Sequence, residues 1–305
     1  MTSRLVGARV PPTGSQFLLE SERGRAVVTE VGATLRSWRM DEREQLDTFP
    51  IDEIGEDFRG KVLVPWPNRI RDARYVFRGT EYRTAISEPE RGGALHGLVL
   101  WGSWYPLRHS NDEVALGHIL HPRPGYPFTL ELEVGYRLSG DGLEGTLNAT
   151  NRGAAIAPFG AGFHPSLGLG GRLEDAVHEL PAGTRVPVDE QLLPTGPPLP
   201  VEGTEHDFRS PRRIGGLALD TCFGDLERGA DGLARARLVT GGRAVTVWMD
   251  GAFRFIHVFT SDGGVAIEPM TCAPDAFNSG DGLLALVPGG SFSGRWGLNT
   301  QREVQ

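Results

Sequence analysis

Residues able to move protons stand in this chain where a solvated surface has no need of them. Glu268 closes the apolar run Val265-Ala266-Ile267 and is followed by Pro269, Pro274 and a polar stretch to Asn278, a pattern expected at the rim of a sheet. His96 lies in Leu95-His96-Gly97, with Gly92 and Gly93 just before it, which predicts a tight turn. His164 lies in Gly162-Phe163-His164-Pro165, where the proline biases the histidine to an extended backbone. Asn68 and Arg69 follow Pro65-Trp66-Pro67. Asp220 comes after Leu217-Ala218-Leu219, at an expected strand end. Alternation along a strand sets Glu268 opposite to Ile267, so an Ile267 in the core puts Glu268 against solvent or a cleft. A carboxylate partly removed from water rises toward a neutral pKa and becomes a useful base. One carboxylate, two imidazoles and a guanidinium suffice for acid–base chemistry on a neutral polyhydroxyl compound such as a sugar.

Other chemistries lack their parts. There is no His-Glu-x-x-His, and His118 and His121 fall three residues apart in an expected strand. They therefore point to opposite faces and make a poor ligand pair, so neither a metal nor another cofactor is expected. No Gly-x-Ser-x-Gly elbow is present. Lys61 is the only lysine, so a Schiff base has one residue to use, and Gly60-Lys61 is followed by Val62 rather than by the hydroxyl residue of a phosphate loop. Glycoside hydrolysis needs a second carboxylate near Glu268, for which Asp220 and Asp275 are the candidates.

The elements that must position these groups read as strands. Short alternating runs at 16–22, 25–30 and 34–40 are separated by glycine-bearing turns. Hairpins are expected around Arg78-Gly79-Thr80, between 128–138 and 143–151, and between 243–250 and 253–261 across Asp250-Gly251. Final strands are expected at 283–287 and 291–298. Forty-two glycines and 22 prolines leave no long window with a helical apolar period. The expectation is an all-β, large antiparallel β-sandwich formed by one domain over residues 1–305, with 181–211 as a long surface excursion. The composition, 39% hydrophobic and 23% charged, is that of an ordinary globular protein, and a net charge of −8 argues against a nucleic-acid partner. No stretch approaches the roughly 18 apolar residues of a membrane span, and the first ten residues hold no signal-peptide core, so a cytoplasmic protein without a membrane partner is expected. Cys222 and Cys272 are too few for a disulfide framework and are expected reduced.

Six segments in order resemble the aldose 1-epimerase (galactose mutarotase) family. They are Gly32 to Trp38; Pro67-Asn68-Arg69-Ile70 with the hairpin from Tyr75 to Tyr82; Leu95-His96-Gly97; Gly162-Phe163-His164-Pro165; Leu219-Asp220-Thr221-Cys222-Phe223; and Ala266-Ile267-Glu268-Pro269 with Pro274-Asp275-Ala276-Phe277-Asn278. The resemblance implies a twisted supersandwich with a sugar in an open cleft, and an isomerase that interconverts the anomers of a free aldose. It implies Glu268 as general base and His164 as general acid, with His96 beside them. Arg69, Asn68 and Asp220 would hold the sugar, and no cofactor or metal would be used. Two departures bear on sugar preference: Pro165-Ser166-Leu167-Gly168 replaces the family's aromatic and Asn-Leu continuation, and Leu98 stands where a glycine is frequent. No phosphate-binding cluster accompanies Trp66, which favours an unphosphorylated sugar as partner. Trp66, Trp101 and Phe277 are candidates to stack on it, and the chain is expected as a monomer or homodimer. The rivals are a sugar-binding sensor on the same fold and another carbohydrate-active enzyme.

Overall fold

The computed structural model describes residues 10–168 and 170–302. Its strands collect into a nine-stranded and an eight-stranded antiparallel sheet, with a four-stranded sheet near the N-terminus and three two-stranded ribbons. The only α-helix among the described residues is one turn, Ala276–Ser279. Binary patterning makes the sandwich. In Leu130–Leu138 the residues Leu130, Leu132, Val134, Tyr136 and Leu138 are buried, while Glu131, Glu133 and Arg137 face outward. That face meets the core face of the eight-stranded sheet, where Phe163 lies 4.9 Å from Trp296 and 6.2 Å from Phe253, ring centre to ring centre. Each large apolar side chain so removed from water contributes roughly 1.5–3 kcal/mol. The chain is a twisted antiparallel β-sandwich. None of its described helices is long and apolar enough to cross a membrane.

Two sequence-based expectations fail in instructive ways. Arg243–Met249 and Phe255–Thr260 form no hairpin. The first pairs with Ala234–Thr240 and Ser291–Arg302 in the larger sheet; the second pairs with Asp220–Leu226 and Val265–Met270 in the smaller. Asp250 turns the chain between layers rather than back on itself. Its carboxylate accepts from the backbone N–H groups of Ala252 (3.0 Å) and Arg295 (2.9 Å), and Phe253 is driven into the core between the sheets. Nor is 181–211 merely a surface excursion. Ala182–Arg185 is a strand paired with Asp220–Leu226, and Leu193, Val201 and Phe208 are buried. Cys222 and Cys272 are free and buried, and burial pushes the Cys272 thiol up to about 12.

His178 is a purely structural histidine in the larger sheet. It is fully buried, Nδ1 meets the Arg237 carbonyl at 3.1 Å, and Nε2 has no partner among the described residues. Burial lowers its pKa from 6.5 to about 4. Below pH 6.5 the unfolded chain takes a proton that the folded ring does not, so stability falls as pH drops, by about 2 kcal/mol at pH 5 from this residue. Urea denaturation at pH 7.5 and pH 5 is expected to show that the loss shrinks by about this amount in His178→Gln; an unchanged loss would place the pH sensitivity elsewhere.

Candidate active site

Strand register assembles the chemistry in one row. Gly162 pairs with Met270 and Ser166 with Ala266, a single register that sets His164 opposite Glu268. On the other side of the same strand His257 pairs with Glu268, and Cys222 pairs with His257, which places Asp220 two residues along on the same face. Glu268 thus stands in the body of Val265–Met270, not at its rim, and is 1% exposed. Ile267 enters the main core on the opposite face. His164 is fixed on its other flank by backbone bonds, its N–H to the Lys61 carbonyl (3.0 Å) and its carbonyl from the Gly60 N–H (2.8 Å). His164 Nε2 lies 3.3 Å from Glu268 Oε1, while Glu268 Oε2 is buried with no hydrogen-bond partner among the described residues.

Asn68 organises the histidines. It has a left-handed backbone (φ 56°), as does His96 (φ 59°), and such geometry is tolerated best by Asn and Gly. The Asn68 N–H donates to His96 Nδ1 at 3.1 Å, so the neutral ring carries its proton on Nε2. Burial, then the nearby charges of His164, Arg69 and His257, holds the His96 pKa well below its ordinary value. His96 is therefore a neutral Nε2–H donor. Asn68 Oδ1 accepts from the Arg69 N–H (2.9 Å), which leaves its amide nitrogen facing His257 Nδ1 at 3.5 Å. His257 Nε2 in turn meets Asp220 Oδ1 at 2.8 Å. Burial pushes the Asp220 carboxyl up, but the His257 hydrogen bond and the charges of His257, Arg69 and Arg91 outweigh it and bring it below its ordinary value.

Arg69 is clamped by a carboxylate. Its Nε and Nη2 donate to both oxygens of Glu88 at 2.8 and 2.9 Å, and Arg91 donates to the same carboxylate at 2.7 Å. The backbone of Arg69 is pinned by the Pro-Asp-x-x-Asn tail. The Asp275 N–H donates to the Arg69 carbonyl, Asp275 Oδ1 accepts from the Arg71 N–H and from Asn278 Nδ2, and that amide also bonds the Arg74 carbonyl. This tail is scaffolding: it ties the segment that carries Asn68 and Arg69 to the end of the Glu268 strand.

A cavity of about 280 Å³ gathers Asn68, Arg69, His96, His164, Asp220 and Glu268 in one wall. Its lining also includes Glu88, Arg91, His257 and Phe58, which sequence reasoning missed. His257 was signalled only as a polar residue between Ile256 and Val258, and Glu88 sits in a polar turn that reads as surface. Phe58 rests 4.9 Å from His96 and 6.3 Å from His164, ring centre to ring centre, held by a left-handed Asp57-Phe58 pair (φ 51° and 55°). The expected aromatic stackers do not line the cavity. Trp66 and Phe277 pack on each other in the core at 5.5 Å, and the exposed Trp101 covers Lys61, whose Nζ lies 4.2 Å from its ring centre.

Sequence spacing showed no metal cluster, yet His96, His164 and Glu268 bring ligand atoms within 4.8 Å of one another. The tautomer argues against a cation here. With Nδ1 accepting from Asn68, Nε2 bears the hydrogen of the neutral ring, so neither His96 nitrogen offers a free lone pair. The set suits hydrogen bonding to an oxygen-rich molecule better than a metal ion.

A family model for aldose 1-epimerase matches residues 15–298, and the chain belongs to this family. Among curated relatives it is 32% identical to the uncharacterized protein YihR of Escherichia coli, covering 91% of this chain and 90% of that one. It is 27% identical to human galactose mutarotase over 70% of this chain and 66% of that protein. The crystal structure of the GalM/aldose epimerase homologue from C. elegans superposes with a TM-score of 0.84 at 20% identity, over 94% of this chain and 99% of that one.

The Arg69–Glu88 pair is nearly dry, with side chains 8% and 4% exposed, so removing one partner strands a buried charge. Glu88→Ala is expected to cost about 3 kcal/mol in urea denaturation, and adding Arg69→Ala to it is expected to cost much less than Arg69→Ala alone. Additive losses would show that the two charges are not coupled.

Proposed function

We propose that the chain is an aldose 1-epimerase that opens and recloses the ring of a free, uncharged aldose by proton transfer. The observation that carries this reading is the buried Glu268 carboxylate, one oxygen 3.3 Å from His164 Nε2 and the other without a protein donor. An acceptor left unsatisfied in a protein interior costs about 1–3 kcal/mol, a cost that a bound hydroxyl would relieve. The two oxygens on an anomeric carbon lie closer together than two hydrogen-bonded heavy atoms. An acid and a base in contact can therefore straddle that carbon, each within reach of one oxygen.

In this reading Glu268 takes the proton of the anomeric hydroxyl while His164 gives one to the ring oxygen. The ring C–O bond breaks and the anomeric carbon becomes an aldehyde. Rotation about the bond from C1 to C2 presents the other face, and reclosure returns both protons with the roles reversed. His96, a fixed N–H donor, holds an oxygen of the sugar. Arg69 stays charged and positions it. Asp220 accepts from a hydroxyl with the oxygen that His257 leaves free. Asp275, one candidate for a second catalytic carboxylate, is spent on Arg71 and Asn278 and is not part of the cavity lining, which weighs against glycoside hydrolysis.

The lining also bears on substrate charge. Asp57, Glu88, Glu90, Asp220 and Glu268 face two guanidiniums, Arg69 and Arg91, and both of these are bound to Glu88. A phosphorylated sugar would meet no cation without a carboxylate partner in this lining.

Polarimetry of freshly dissolved α-aldoses tests the assignment. Glu268→Gln and His164→Asn are each expected to lower kcat by about 10²-fold or more with sugar affinity little changed, whereas Arg69→Ala mainly weakens binding. Near-native turnover in Glu268→Gln would assign the base elsewhere. A hexose 6-phosphate is expected to show kcat/KM at least ~10-fold below that of the free hexose, from like-charge repulsion in the cavity; an equal or higher value would contradict the charge argument.

A further inference from the structure

Among the described residues His257 hydrogen-bonds Asp220 and Asn68 rather than Glu268 or His164, yet it stands beside Glu268 in the row. It is 4% exposed, paired across one strand with Glu268 and across the other with Cys222. Its two ring nitrogens are both committed, Nε2 to Asp220 Oδ1 at 2.8 Å and Nδ1 toward the Asn68 amide at 3.5 Å. Asn68 is the residue whose N–H sets the tautomer of His96. Asp220, by contrast, begins its strand, and its side chain is 29% exposed. Among the described residues, only His257 hydrogen-bonds the Asp220 carboxylate. An aspartate on a strand end and partly exposed rotates about χ1 and χ2 unless something holds it, and immobilising such a side chain on binding weakens affinity.

We propose that His257 is a positioning residue that orders the Asp220 carboxylate for a sugar hydroxyl and, through Asn68, holds it in register with the His96 donor. This rests on the reading of the cavity as a sugar site. One oxygen of Asp220 is fixed on the imidazole and the other is left as an acceptor at a set place in the cavity wall. The donor N–H of His96 and the acceptor of Asp220 then belong to one hydrogen-bonded chain, Asp220–His257–Asn68–His96, and present a fixed donor–acceptor pattern to a polyhydroxyl ligand. Such an arrangement selects hydroxyl configuration by geometry, because a hydroxyl displaced from the pattern leaves Asp220 without its donor. Cys222, the other neighbour of His257 on this face, is buried and its thiol is pushed well up by burial, so it adds no charge to the chain.

The test is a double-mutant cycle read both in affinity and in turnover. The probe is the aldose of a D-glucose, D-galactose and D-xylose panel that the native chain binds most tightly by calorimetry. His257→Ala is expected to weaken binding and raise KM by about 10-fold while kcat stays within about 3-fold. Asp220→Ala weakens binding at least as much. The double variant is expected to bind within about 2-fold of Asp220→Ala alone, because the imidazole acts only through that carboxylate. His257→Gln keeps an N–H for Asp220 and is expected to restore affinity to within about 3-fold of native, a rescue that a merely space-filling role does not require. Multiplying effects of the two alanine variants, failure of glutamine to rescue in a variant that unfolds at the native temperature, or a loss in kcat with KM unchanged would each overturn the proposal. Binding coupling without any acceleration of mutarotation would sustain this inference while refuting the epimerase reading; acceleration without coupling would do the reverse.

Discussion

The structure turns on a single constraint, the placement of the Glu268 carboxylate inside an apolar strand of a sandwich. A charge in that setting needs compensation, and it comes from side chains of neighbouring strands. His164 faces it from one side and His257 from the other, both set by antiparallel register. Backbone bonds from residues 60–61 hold His164, and the clamp of Asp275 and Asn278 holds the segment bearing Asn68 and Arg69. The aldose 1-epimerase fold of this chain is in this sense a means of keeping one carboxylate dry, with an acceptor oxygen left over for a ligand.

Much of this was legible in the sequence because it was local. Period-two patterning shows directly in residues 130–138, and the turn before 143–151 joins two strands that do pair. The proline after His164 and the glycine after His96 announced unusual backbones, and His96 does adopt a positive φ. Family motifs named six residues that line one cavity. What stayed hidden was non-local. The partnership of His257 with Glu268 depends on which strands are neighbours, and a hairpin read across Asp250-Gly251 gave those neighbours wrongly. The same limit applies to Glu88, whose turn looks solvated until Arg69 arrives from 19 residues away.

Residues with chemical potential also divide by what surrounds them. Lys61, the sole lysine, is fully buried beneath Trp101, and burial lowers its pKa to about 8. It is absent from the cavity lining, although its backbone carbonyl holds His164. Asp275 likewise looked like a catalytic carboxylate and is a backbone clamp. The Asp275 carboxylate and the Lys61 backbone carbonyl serve position, whereas the buried Glu268 keeps one oxygen without a hydrogen-bond partner among the described residues.

The account is tested most directly by anomer exchange in the native chain. Saturation transfer between the α and β anomeric proton signals of an equilibrated free aldose needs no variant and no coupling enzyme. Acceleration of exchange in proportion to protein concentration, for at least one neutral aldose and undiminished by a chelator, is the predicted result. Exchange at the protein-free rate for every neutral aldose that demonstrably binds would contradict it and leave the cavity a binding site without the chemistry of Glu268 and His164.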